Sequence, residues 1–250
     1  MNGRNSNNFD EILHHCIHCG MCLPVCPTYV LTEQEQSSPR GRIRLMRALH
    51  EGTLELSDAF VDEMYFCLDC QACQTACPAG VQYGTLVEDA RRTIAEQRKE
   101  PLALRFIKMI LLRGILASKQ RTKFAAKVLK FYRMTGLQQA VDDSQILSVF
   151  SEKLQAKHAM LPTIAHQVFD DTVGEIIPPK VTKRGRVALL TGCIMNVAFP
   201  DVHQDAVEVL LANGFEVVIP KMQECCGSLH GHHGEIDAAK KLARKNLDVL

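Results

Sequence analysis

The sequence has little that reads as a secretory leader, and none is expected: MNGRNSNNFDEILHHC has no basic start followed by an apolar stretch and a small-residue cleavage site. The expectation is a cytoplasmic chain whose thiols stay reduced. It also lacks an uninterrupted apolar run long enough to cross a bilayer; the most apolar stretch, FIKMILLRGILA, is broken by Lys108 and Arg113. Net charge is nearly absent, at +1, so nothing global draws the chain to nucleic acid or lipid, and no nucleic-acid partner is expected. There is no G-x-G-x-x-G fingerprint, no P-loop and no acid/base pair placed for hydroxy-acid chemistry. These absences exclude nucleotide binding and organic catalysis as first readings, and no catalytic residue is proposed.

What is abundant is cysteine. Eleven occur in 250 residues, in a chain whose 46% apolar content is enough for real cores. "CIHCGMCLPVCP" at 16–27 is reproduced by "CLDCQACQTACP" at 67–78, so Cys16, Cys19, Cys22, Cys26 and Pro27 reappear 51 positions later as Cys67, Cys70, Cys73, Cys77 and Pro78. The spacing C-x2-C-x2-C-x3-C-P winds three thiolates around one face of an iron-sulfur cube. The proline turn sends the fourth away, to the other cluster of a two-cluster ferredoxin. One 4Fe-4S cluster is therefore expected on Cys16, Cys19, Cys22 and Cys77, and a second on Cys67, Cys70, Cys73 and Cys26. Structural zinc is the competing metal, but it takes its ligands as separated pairs, a poor fit to four thiols in one run. Disulfides fit a reducing compartment worse still.

Between and after these motifs the periodicity is helical. Pro39 opens a helix with Ile43, Met46 and Leu49 on one face, Ser57 caps a second, and Thr85 with Glu88 forms a capping box for a third running to about residue 99. Residues 1–100 thus read as an α-helical two-cluster ferredoxin domain. Arg40, Arg42, Arg44 and Arg47 read either as a solvated face or as charges near the clusters, where they would raise cluster potentials.

Residues 101–180 read as a basic helical linker: from 101 to 133 there are nine Lys or Arg and no Asp or Glu. Lys119, Lys123, Lys127 and Lys130 share one helix face, with Phe124, Val128, Leu129 and Tyr132 opposite. That face is either solvated or a peripheral contact with an acidic partner or the inner face of the cell membrane. "IIPPK" then marks a boundary. Beyond it, "RVALLTGC" and "FEVVIP" read as parallel strands, and "DVHQDAVEVLLANG" as a helix with Val202, Ala206, Val209 and Leu210 on one side, making 181–250 a partial α/β domain. Its strand-end loops carry Cys193, Cys225 and Cys226, a candidate but incomplete third metal site or else redox-idle thiols. His230, His232 and His233 follow in a His/Gly loop with no spaced partner evident for a metal.

"CCG" after a parallel strand and a strand-end "GC" resemble the cysteine-rich CCG domain of heterodisulfide-reductase-type proteins. Together with the tandem motifs, "CPTY", "PRGRI" and "CPAGVQY", the chain resembles the iron-sulfur subunit family of bacterial glycolate oxidases over essentially its whole length. The resemblance implies an electron relay. A separate FAD-containing subunit would oxidise glycolate to glyoxylate, and this chain would pass the electrons singly through its two clusters toward a membrane quinone. Family members continue into a closing cysteine pair and a second CCG repeat, whereas this sequence stops at Leu250, so it resembles an N-terminal portion or a shortened relative. A sibling subunit of a lactate, glycerol-3-phosphate or heterodisulfide system, and a non-redox protein with structural metal, stay open as alternatives.

Overall fold

The computed structural model describes residues 6–98 and 101–250. The chain forms two units, each described by itself: residues 1–100 with 229–237, and residues 101–228 with 238–250.

The first unit is helical. Helix α1 (Ser6–His14) leads into the first cysteine loop, which ends in α2 (Pro27–Thr32) and a 3-10 turn (Glu35–Ser37). Helices α3 (Pro39–His50) and α4 (Asp58–Phe66) bring the chain to the second loop, closed by α5 (Ala72–Thr75) and α6 (Tyr83–Gln97). The core is where these helices meet: Leu13, Met46, Phe60, Met64, Leu86 and Val87 are essentially inaccessible to solvent. The "PRGRI" stretch has a packing reason at almost every position. Ser38 caps α3 by accepting from Gly41 N at 2.9 Å, and Pro39 supplies a first helical position that needs no N–H. A Cβ on Gly41 would lie 1.9 Å from the Glu35 carbonyl oxygen, so only glycine lets the helix start against the 3-10 turn. Ile43 enters the core.

Two expectations change here. Helix α6 starts at Tyr83, so Thr85 lies inside its first turn and does not cap it; Gln74 Oε1 accepts from Gly84 N at 3.0 Å instead. The expected end of that helix, about residue 99, lies outside the described residues. The His-rich segment is also ordered: α15 (Ser228–His232) takes His230 to complete burial.

In the second unit, α7 (Leu102–Lys108) runs on as a π-helix (Met109–Leu116) before α8 (Lys119–Met134), α9 (Leu137–Ser144), α10 (Ile146–Phe150), α11 (Glu152–Ala159) and the short α12 (Phe169–Thr172). A small sheet follows: β1 (Ile176–Ile177), β2 (Gly185–Ala188) and β3 (Phe215–Val218), in the order β1-β3-β2. Helices α13 (Ile194–Ala198) and α14 (Pro200–Ala212) connect β2 to β3, and α16 (Ile236–Leu247) comes last. β2 and β3 are parallel in the register Val187 to Val217, as the strand-helix-strand pattern predicts. The sheet is mixed, however, because β1 pairs antiparallel with β3, Ile176 opposite Val218. The "II" before the prolines is thus a strand and not merely a boundary.

β2 is shorter than its apolar run. Leu189 N makes the last ladder bond, to Val218 O, and Thr191 N is taken by the side chain of Gln223 at 2.7 Å. The buried face of α14 is also rotated from expectation. His203, Val207 and Leu211 are inside, whereas Val202 and Val209 are more than half exposed. His203 earns its interior place by bonding Thr191 O at 2.9 Å through Nε2, a pairing that hydrophobicity counts miss.

The lysine row of α8 is not uniformly solvated: Lys127 is exposed, but the other three are held by partners. Lys119 is 5% exposed, with Nζ 2.8 Å from Asp170 Oδ2 and 2.9 Å from Thr191 Oγ1. Lys123 bridges Asp170 and Asp171 at 2.7 Å each, and Lys130 bonds His166 O. Of the expected apolar side, Leu129 and Tyr132 are half-buried, whereas Phe124 and Val128 are turned to solvent together with Phe131.

Candidate metal centres

The two cysteine loops repeat in backbone as well as in sequence. His18 and Gly20 in the first adopt φ of 55° and 88°; Asp69 and Gln71, each 51 positions on, adopt 54° and 57°. Left-handed residues on either side of the second thiol turn the chain sharply there, wrapping it around a common centre. In the first loop glycine suits the φ of 88° at position 20, and a Cβ there would also press on Arg40 Nη1 at 2.7 Å.

Each loop is held by an arginine at the equivalent distance downstream. Arg40 donates to His18 O at 3.1 Å while its Nε and Nη2 grip Glu35. Arg91, 51 positions after Arg40, donates to Cys67 O and Met64 O and lies 3.5 Å from Asp69 Oδ2. Arg42 is completely buried, with Nε on Glu63 O at 2.8 Å and Nη1 on Thr28 Oγ1 at 3.0 Å. Of the four arginines left open by the sequence, Arg40 and Arg42 line hollows beside the cysteines, Arg47 ties down Leu13 O, and Arg44 is exposed.

Those hollows adjoin. One, of about 420 Å³, has Cys16, Cys19, Cys22 and Cys77 in its wall. The other, of about 300 Å³, has Cys26, Cys67, Cys70 and Cys73. Cys73 and Tyr83 line both. All eight thiols are free of disulfides. Burial pushes the Cys73 thiol up to about 12, with Cys67, Cys22 and Cys26 adding to it; Cys22 is raised too, again chiefly by burial. Thiols crowded this way resist ionisation unless a cationic centre takes them as thiolates, so the donor chemistry fits an iron-sulfur cluster in each hollow.

The spacing argues against zinc. Four thiolates on one Zn2+ at about 2.3 Å stand about 3.8 Å apart. Among the described residues, the only trio of His, Cys, Asp or Glu with donor atoms within 4.8 Å of one another contains no cysteine: it is Asp69, Glu88 and His232. His232 Nδ1 sits 2.8 Å from Asp69 Oδ2 and 3.9 Å from Glu88 Oε1. Burial, then the Asp69 carboxylate beside it, hold the Glu88 carboxyl above its usual range. Arg91 already shares Asp69, so the trio reads as an ion-pair cluster fastening α15 to the second loop. No local sequence signal pairs Asp69 with His232, and only folding joins them.

In the second unit, Cys193 and Cys225 are buried with their Sγ atoms 3.4 Å apart, and Cys226 is exposed. A hydrogen bond with Cys225 lowers the Cys193 thiol, and the Cys225 and Cys226 thiols are raised, first by their hydrogen bonds to Cys193 and Cys225 respectively. Three thiols fall short of the four-ligand set of a cube, and no step is derived through them.

Comparisons agree with this layout. Family models match residues 12–81 as a 4Fe-4S dicluster domain, 103–161 as the linker region of the glycolate oxidase iron-sulfur subunit, and 187–250 as a cysteine-rich CCG domain. The probable glycolate oxidase iron-sulfur subunit of Bacillus subtilis is 36% identical over 94% of this chain and 53% of the relative. The glycolate oxidase iron-sulfur subunit of Escherichia coli is 30% identical over 96% of this chain and 53% of its own length. The chain is similar to glycolate oxidase iron-sulfur subunits over nearly all of its own length. It is an iron-sulfur protein of the two-cluster 4Fe-4S type, related more distantly to a subunit of the anaerobic glycerol-3-phosphate dehydrogenase of Escherichia coli, at 25% identity over 96% of this chain and 57% of the relative. The chain spans about half the length of these relatives. No solved structure matches it. No helix among the described residues is long and apolar enough to cross a membrane.

Proposed function

We propose that this chain is the electron-relay portion of a glycolate oxidase-type complex. It holds one 4Fe-4S cluster on Cys16, Cys19, Cys22 and Cys77 and another on Cys67, Cys70, Cys73 and Cys26, and carries electrons from a FAD-containing partner toward a quinone. The observation that carries the reading is the pair of adjoining cysteine-lined hollows, one with Cys16, Cys19, Cys22 and Cys77 and the other with Cys26, Cys67 and Cys70, sharing Pro39, Cys73 and Tyr83. When bound, the clusters supply reversible one-electron chemistry. The protein's own residues orient and shield: the left-handed turns at 18, 20, 69 and 71 set the thiols, and Arg40 and Arg91 hold each loop closed. Cys19 and Cys70, the exposed thiols of the eight, mark where a partner's redox group approaches.

Iron and acid-labile sulfide analysis, with EPR of the dithionite-reduced protein, tests the reading. Two interacting 4Fe-4S signals are expected; a colourless, EPR-silent protein containing zinc would overturn it. The glycerol-3-phosphate relative favours a sibling complex as the second reading. Co-purification with a flavoprotein, followed by a screen of 2-hydroxy acids and glycerol-3-phosphate, separates the two.

Peripheral contact with anionic lipid is proposed through the apolar side of the 101–133 segment. Leu102, Phe106, Ile107, Phe124 and Phe131 are each more than half exposed there, and no Asp or Glu occurs in it. Replacing Phe124 and Phe131 by serine is expected to release the protein from anionic vesicles; unchanged binding would dispose of this contact.

A further inference from the structure

The walls of the two hollows are unequal. Around the Cys26, Cys67, Cys70 and Cys73 hollow, Tyr83 Oη is 3.6 Å from Cys67 Sγ, and Thr28 Oγ1 is 3.2 Å from Cys26 Sγ. Thr28 Oγ1 also reaches Ser37 O at 2.8 Å, but an ionised Cys26 is the stronger acceptor and draws the hydroxyl proton to itself. Thr28 accepts in turn from Arg42 Nη1 at 3.0 Å, so a guanidinium stands directly behind the hydroxyl. Tyr83, Thr28 and Arg42 are all buried, at 3%, 3% and 0% exposure, where water does little to weaken their fields. Arg42 is in the wall of this hollow; its partner Glu63, 3.5 Å from Nη2, is not.

Tyr83 also lines the hollow of Cys16, Cys19, Cys22 and Cys77, but its hydroxyl is directed at Cys67 of the other. Among the described residues, no side-chain hydroxyl or guanidinium hydrogen-bonds the sulfurs of those four. Arg40, the arginine in the wall of their hollow, is 28% exposed and doubly bonded to the Glu35 carboxylate, which offsets its charge. A backbone donor adds to the side of the Cys26, Cys67, Cys70 and Cys73 hollow: Asp69 N reaches Cys67 Sγ at 3.4 Å.

An added electron puts more negative charge on the cluster sulfurs. Donors aimed at those sulfurs, and a buried cation behind them, favour the reduced form. We infer that the centre held by Cys26, Cys67, Cys70 and Cys73 has the higher reduction potential of the two, and that Tyr83, Thr28 and Arg42 are the positioning residues that raise it. This rests on the eight-cysteine reading above. The first electron added by an outside reductant then settles at this centre, and the other is reduced second. Tyr83 keeps its proton throughout, because it acts as a donor and not as an acid.

The test is a dithionite titration of the iron-loaded protein followed by EPR, with iron and sulfide counted in every sample. The upper of two potentials is assigned by its altered spectrum in Cys70→Ser. Tyr83→Phe and Thr28→Val are each expected to weaken electron uptake at the upper centre by about two- to tenfold, tenfold being about 59 mV for one electron, with the lower potential unmoved. Thr28→Ser, which keeps the hydroxyl, should restore the wild-type value. Variants with full iron whose upper potential does not move, or a Cys70→Ser change that appears in the lower signal, would overturn the inference and leave the ligand assignment standing. Wild-type protein without iron would overturn both.

Discussion

Cys77→Ala is expected to erase the centre whose other thiols lie in the first motif, taking bound iron from about eight atoms per chain to about four. The reason is spatial. Cys77 lines the hollow of Cys16, Cys19 and Cys22, whereas its sequence neighbours Cys67 and Cys70 line the other. Double variants make the result decisive. Cys16→Ala with Cys77→Ala should lose no more iron than either alone, because both thiols serve one cube. Cys67→Ala with Cys77→Ala should lose nearly all of it, because they serve two. If each motif closed its own cube, these outcomes would exchange places. Iron analysis with EPR reads both, and Cys26 provides the mirror experiment.

Asp170→Asn is expected to cost the second unit about 3–5 kcal/mol, the usual penalty for stranding a buried charge. Asp170 is 5% exposed and faces Lys119 at 2.8 Å and Lys123 at 2.7 Å, with Asn196 donating at 2.9 Å. Lys123 keeps Asp171 when this carboxylate is lost, but Lys119 keeps only the neutral Thr191 hydroxyl. A fall in Tm on the order of 10 °C follows for a chain of this size, measurable by far-UV circular dichroism. Asp170→Leu combined with Lys119→Met should recover much of it, since both charges are then gone.

The same pair sets an acid limit. Burial works against the Asp170 carboxylate, yet hydrogen bonds from Lys119, Lys123 and Asn196 outweigh it and hold its pKa at about 2, against an ordinary 3.8. A carboxyl with a depressed folded pKa contributes stability above its unfolded pKa. That contribution, about 2 kcal/mol, should therefore be complete above about pH 4 and disappear as pH falls toward 2. In Asp170→Asn this part of the acid transition should be missing.

Much of this chemistry was legible in sequence because it is local. Two identical cysteine spacings, each ending in proline, need only a few residues of backbone geometry to imply their cofactor, and strand-helix-strand periodicity needs only its own segment to imply β2, α14 and β3. What depended on distant partners was not legible. Nothing near Lys119 says that it is buried, because its counter-charge, Asp170, arrives from another helix; Lys119 and Lys123 therefore read as solvent-facing when they turn inward. His203 takes a core position only because Thr191 O needs a donor there, which rotates the buried face of α14. The antiparallel β1 exists because β3 has a free edge to pair. His232 meets Asp69, and Arg42 stands behind Thr28, through contacts that no spacing encodes. Short-range covalent geometry determined which thiols are disposed toward iron and sulfur. Burial and the pairing of charges, which exist only once the chain has closed on itself, decided which side chains surround them and which faces meet water.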